Sequence, residues 1–300
     1  MNVLTAVLLI VVVFFSVLFL INNLYKRTNH YLNSLVPYKD CKKNCLDAKF
    51  INLGSTYAKY AFGAYDDLQV QGNNLAMCSQ SLNEDRLMLC SHLSKITKGT
   101  IVFIPVAACL FLYDDNMNAK LIKNNFSQRP TIFHCLKSIK YIFHDDRYII
   151  DDIYEMSPVY CLNYKPTLDS LENVWKKLFH LKNLKQVHLS KENAETINKN
   201  TNTLREIIEV CLQNKLKPVI ISTPFSDELN SRFSAEFKNE MLYNPIKKIV
   251  SETGVAYIDF QTRKEFVHCP ELFIDGGFCL NKRGSKIFLK MLIEEVIKEK

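Results

Sequence analysis

The chain has no block of Lys and Arg interleaved with aromatic residues, although 38 basic against 31 acidic residues leave a formal charge of +7. Nucleic-acid surfaces need their positive charge clustered. Here basic and acidic residues are scattered among each other along most of the chain, so no nucleic-acid partner is expected. Internal repeats and low-complexity tracts are absent, and 48% hydrophobic with 23% charged residues is the composition of a packed core. Metal-ligand spacing is missing too. Cys41 and Cys45 stand close enough for a local disulfide or half a metal site, but no Cys/His pair of matching spacing follows. Cys78, Cys90, Cys109, Cys135, Cys161 and Cys211 lie in apolar contexts where a thiol packs as a small hydrophobe. His144-Asp145-Asp146 with Asp151-Asp152 reads as a solvated face. Neither a metal nor a cofactor is expected.

What is present begins with Val3 to Ile21, an apolar stretch interrupted only by Thr5 and Ser16 and about as long as a bilayer core is thick. A cleaved signal peptide wants a charged leader, a shorter apolar centre and a small-x-small site. This segment instead starts at Met1-Asn2 and ends in Asn22-Asn23-Leu24-Tyr25. It reads as an uncleaved, single-pass transmembrane anchor over residues 3–21, followed by a polar juxtamembrane linker over 22–47. Lys26, Arg27, Lys39, Lys42 and Lys43 follow the segment and no basic residue precedes it, so flanking charge favours a cytoplasmic domain.

The domain is expected from residue 48 to 300. Short apolar or β-branched runs at Ala48–Leu53, Gln69–Ala76, Thr100–Val106, Lys217–Thr223 and Val255–Phe260 read as strands. Between them lie helical patterns: the first turns at Tyr57–Phe62, then Gln80–Ile96, a long helix after an N-capping Ser190 to about Asn214, and one from about Arg232 to Gly254. Lys282–Lys298 is the final amphipathic helix. Residues 114–185, irregular and rich in aromatics, read as an insertion over the sheet edge. Alternating strands and helices predict a three-layer α/β sandwich with a parallel sheet.

Ligands of such sheets gather at the carboxyl ends of the strands. Phe50-Ile-Asn-Leu-Gly-Ser-Thr-Tyr57 is an apolar run that breaks at Gly54 and is followed by two hydroxyl residues. That pattern can feed a nucleophile into a tight turn before a helix, where backbone N–H groups steady an oxyanion. It can equally be a helix cap. Near the other end, Leu272-Phe-Ile-Asp-Gly-Gly-Phe-Cys-Leu-Asn-Lys-Arg-Gly284 reads as an acidic loop entering the last helix.

The two segments resemble the first and last sequence blocks of the SGNH (GDSL-like) hydrolases, Gly-x-Ser after the first strand and Asp-x-x-His with Leu-Asn-x-x-Gly before the last helix. The resemblance implies an SGNH/flavodoxin-like fold and ester chemistry. It places the nucleophile on Thr56, or on Ser55 if the turn shifts by one residue, and the orienting acid on Asp275. The histidine position falls on Phe278 or Cys279, with His268 in the same loop as a surrogate base. Gly54, Asn74 and Asn281 are the residues implied for oxyanion or substrate binding. The stretch Val106-Ala107-Ala108-Cys109 offers no Asn where the third block of the family has one.

A neutral thiol is a poor general base and a phenyl ring is none, and the methyl of Thr56 crowds the attack path. Two functions therefore follow from the resemblance. One is a membrane-anchored O-acyl esterase or acyltransferase of cell-envelope or polysaccharide modification. The other is a catalytically degenerate accessory protein that binds a glycan, an acylated substrate or a membrane partner. Family members anchored in bacterial envelopes work outside the cytoplasmic membrane, against the charge argument, so the side of the domain stays open.

Overall fold

The structure is a computed structural model that describes residues 2–25, 27, 47–77, 80–114, 164–185, 189–274 and 276–298. Contacts divide the chain into two units: residues 1–39 with 118–149, and residues 40–117 with 150–300. In the first, the described part is essentially helix α1, Val3–Tyr25. Its mean hydropathy is 3.2 over the best window, and 23 residues at ~1.5 Å each exceed the ~30 Å of a hydrocarbon core. The helix is long and apolar enough to cross a membrane, and a signal sequence would share that length and composition.

The second unit is an α/β domain around five strands: β1 Phe50–Asn52, β2 Gly72–Asn74, β3 Ile101–Val106, β4 Lys217–Ser222 and β5 Ala256–Asp259. All pairs are parallel, in the order β2-β1-β3-β4-β5. Every residue of β3 is buried, as expected where helices cover both faces of a parallel sheet. The helices α2 (Thr56–Ala61), α3 (Leu82–His92), α4 (Tyr164–Leu178), α5 (Lys191–Gln213) and α6 (Asp227–Asn230) connect the strands up to and just beyond β4. Next come α7 (Ala235–Lys238), α8 (Asn244–Thr253), α9 (Lys264–Val267) and α10 (Lys282–Lys298). They pack in two groups, α2 with α10 and α5 with α3 and α8. Ser285 Oγ of α10 donates to the Ala61 carbonyl at 2.8 Å and ties the last helix to the first of the domain.

The long helix starts where the sequence predicts. The Ser190 hydroxyl caps it by accepting from Asn193 N–H at 3.1 Å. Ser81 and Glu84 form a reciprocal capping box at the start of α3, which satisfies two otherwise orphaned donors. The helix expected from Arg232 to Gly254 runs without interruption from Ala235 to Thr253, as α7, a wide π turn at Asn239–Tyr243, and α8. Ser234 caps α7, and Pro245 opens α8 without an N–H to return to the preceding turn. Of the insertion expected over 114–185, residues 115–163 lie outside the described residues, and the part from 164 onward begins with α4.

Pro105 looks out of place in a buried central strand, because proline removes a ladder donor. The odd residues of β3 face β1, as Ile101 N–H bonded to Lys49 O and Leu53 N–H bonded to Phe103 O show. Two residues further on, β1 has ended and the chain has turned at Gly54. The missing N–H of Pro105 therefore falls where no partner strand remains.

Candidate functional site

In a sheet of this order the crevice opens where the connections leave in opposite directions, between β1 and β3. The turn after β1 occupies that point. Gly54 has φ +114°, and a Cβ there would stand 2.6 Å from Ala58 Cβ and 3.3 Å from Pro105 Cγ. Only glycine suits both the backbone and the space. Ser55 follows as the N-cap of α2, its side chain making no capping hydrogen bond, and Thr56 is the first helical residue. Both are half-buried.

Beneath the turn sits a carboxyl that sequence reasoning missed. Gly54 N–H donates to Asp85 Oδ1 at 2.8 Å, and Gln80 Nε2 donates to the same oxygen. Asp85 is fully buried, and its Oδ2 makes no hydrogen bond to any described residue. Burial pushes the Asp85 carboxyl up from 3.8 to about 7; the Gly54 and Gln80 hydrogen bonds oppose that rise and Glu84 adds to it. The sequence signal was available but ambiguous, because an acidic residue just inside a helix start also reads as a partner of the helix dipole.

Tyr57 donates its hydroxyl to the Pro105 carbonyl at 3.1 Å. Burial raises its phenol well above the usual range, helped by Asp85 and Cys109. Cys109, just past β3, is itself buried, and burial pushes its thiol far up.

The residues expected to hold an oxyanion serve other contacts. Asn74 Oδ1 accepts from Asn52 Nδ2 at 2.7 Å and from Ala76 N–H at 3.1 Å, while its Nδ2 donates to the Lys59 carbonyl at 2.8 Å. Asn281 Oδ1 accepts from Gly284 N–H at 2.9 Å, and its Nδ2 donates to the Glu271 carbonyl at 2.7 Å. This is the capping geometry of an N-terminal Asn. The Gly54 N–H is taken by Asp85.

The terminal loop closes on the same crevice. Phe273 and Leu280 form an antiparallel bridge, and Ile274 N–H donates to the Cys279 carbonyl at 2.7 Å. Asp275 lies outside the described residues. Cys279 is buried. Phe278 is half-buried, with its ring centroid 5.3 Å from Tyr57, 5.3 Å from Trp175 of α4 and 5.6 Å from Phe225 at the end of β4. Phe233 joins through Trp175 at 5.8 Å. His268, after α9, is exposed and stands 3.8 Å from Asp227 Oδ2. The structure thus brings Phe278 against Tyr57, the residue that follows Ser55 and Thr56, while His268 faces solvent beside Asp227. Among the described residues no group of three or more His, Cys, Asp or Glu could hold a metal ion.

No family model matches the chain, and no curated protein matches it. Solved structures similar to it include two from Bacteroides. A presumed acylhydrolase from Bacteroides fragilis NCTC 9343 has 11% identity and a TM-score of 0.47, covering 89% of this chain and 97% of that one. A GDSL-like lipase from Bacteroides thetaiotaomicron VPI-5482 has 10% identity and a TM-score of 0.42, covering 86% of this chain and 90% of that one. The likeness is to the GDSL-like α/β architecture at low identity. The sheet order itself rests on this chain's own strand pairing.

Proposed function

We propose that this chain is an SGNH-type protein, anchored through α1, whose crevice binds an acylated glycan or related acyl ester without cleaving it, as an accessory protein of a polysaccharide or cell-envelope pathway. One observation carries the reading. At Phe278, one of the two positions where the resemblance would put an imidazole, the ring packs among Tyr57, Trp175 and Phe225, and Cys279, the other, is buried. Aromatic faces bind the apolar faces of sugars and acyl chains and transfer no protons. The engaged side chains of Asn74 and Asn281 support the same reading, since neither amide is held ready for a developing negative charge.

A second reading, an O-acyl esterase or acyltransferase, draws on the half-buried hydroxyls of Ser55 and Thr56 at the mouth of the β1/β3 crevice. In it Thr56 attacks the acyl carbonyl, Asp275 orients the base, and Cys279 or His268 takes the proton.

The test pairs binding with turnover on full-length protein. An O-acetylated oligosaccharide and its deacetylated form are titrated against the fluorescence of Trp175, the one tryptophan of the chain, and p-nitrophenyl acetate reports hydrolysis. Binding selective for the acetylated sugar, with wild type and Thr56→Ala equally silent on the ester, is the expected result. Hydrolysis lost in Thr56→Ala and kept or raised in Thr56→Ser would establish the enzyme instead.

A further inference from the structure

The fully buried carboxyl of Asp85 reaches the candidate site only through Gly54, and this arrangement has a use beyond filling space. A charged oxygen in the interior needs all its lone pairs satisfied, and among the described residues only Oδ1 is: Gly54 N–H and Gln80 Nε2 both point to it, while Oδ2 makes no hydrogen bond. Holding a turn by its backbone N–H could be done by a neutral side chain at less cost. A carboxyl adds a two-state character, because the ionised group accepts those hydrogen bonds more strongly and the neutral group is the one that burial favours.

We propose that Asp85 is a positioning residue for the Ser55–Thr56 site, acting through the Gly54 N–H, and that gain or loss of one proton on its carboxyl sets how firmly the turn is held. The proposal rests on the reading that this turn is the functional one, but not on what it binds. Among the described residues, the titratable and charged groups around Asp85 are few. Glu84 precedes it on α3 and is engaged in the capping box. Tyr57, from α2, is the phenol that Asp85 perturbs, with Cys109 beyond it. Arg86, next along α3, pairs outward with Glu206 of α5 at 3.3 Å.

The carboxyl rises from 3.8 to about 7 on burial, so between those values the folded chain binds a proton that the unfolded chain has released. Stability from this group is therefore fully present below the lower value, falls as pH rises through the window, and is level above it. The turn responds in the opposite sense. Its hydrogen bonds strengthen as the charge appears, so the site is most firmly held where the fold has lost that contribution.

Trp175 makes the switch observable. Its ring meets Phe278, and Phe278 meets Tyr57, three residues beyond Gly54. In full-length protein in detergent micelles, Trp175 emission is expected to show a one-proton transition centred at about pH 7, absent in Asp85→Asn. Gln80→Met removes a hydrogen bond that favours the ionised form and should move the midpoint up by about one unit. His268→Gln should leave it in place. Three outcomes would overturn the proposal: a transition persisting unchanged in Asp85→Asn, one abolished by His268→Gln, or flat wild-type emission from about pH 5 to about pH 9 with circular dichroism unchanged. Where Asp85→Asn does not fold, Gln80→Met decides, since an unshifted midpoint also overturns it.

Discussion

The turn after β1 and the loop before α10 meet through the rings of Tyr57 and Phe278 but are built on different physics. The turn is polar and backbone-held: a glycine no other residue can replace, an N–H bound to a buried carboxyl, and two hydroxyl residues at a helix start. The loop is held by a cap at its far end and by aromatic packing at its near end. What differs is the use of side chains: the first leaves two hydroxyls half-buried at a helix start, and the second packs the ring of Phe278 among Tyr57, Trp175 and Phe225. Backbone turns and caps are set by different atoms from those that line a site, so the two can vary independently.

The comparison breaks most sharply at Gly54. In Gly54→Ala the left-handed strain and the overlap with Ala58 and Pro105 should together cost about 5 kcal/mol. Denaturant titration would show a protein close to unfolded; a loss below about 1 kcal/mol would mean that the turn relaxes and is not held as described. Phe278→Ala should cost ~2 kcal/mol, less than truncating a fully buried ring because Phe278 is half-buried. The same variant should shift Trp175 emission to the red as water reaches the indole, and unchanged emission would separate Phe278 from the cluster. Asn281→Ala should be the mildest, about 1 kcal/mol for a lost cap, with Asn281→Asp close to wild type. If both variants destabilise equally, the amide is needed for its bond to the Glu271 carbonyl rather than for the cap.

Much of the fold was legible because its signals are local. Strands β1, β3, β4 and β5 lie within the apolar runs that predicted them, Lys282–Lys298 has the expected bounds, and Ser190 announces α5 through a side chain only three residues from the N–H it caps. The π turn at Asn239–Tyr243 inside the helix expected from Arg232 to Gly254 was not legible. Pro245 has no N–H to return to the preceding turn, and whether the chain answers with a kink, a break or a wide turn depends on what that turn packs against. The candidate site was half visible. Gly54, Ser55 and Thr56 form one contiguous motif, but the bonds of Asn74 and Asn281 to the Lys59 and Glu271 carbonyls could not be read from it.

The sequence by itself determined where the chain turns, which segments are apolar enough to bury or to cross a bilayer, and that no histidine stands in the terminal motif. Hydrophobic periodicity, glycine and capping residues act over a few positions, so they can be read in order along the chain. Only the tertiary structure decided that Asp85, 31 residues from Gly54, lies beneath its N–H, and that Trp175 and Phe225 surround Phe278. Those meetings are made by packing between elements distant in sequence. Burial in that packing turns an ordinary carboxyl into one that titrates near neutrality.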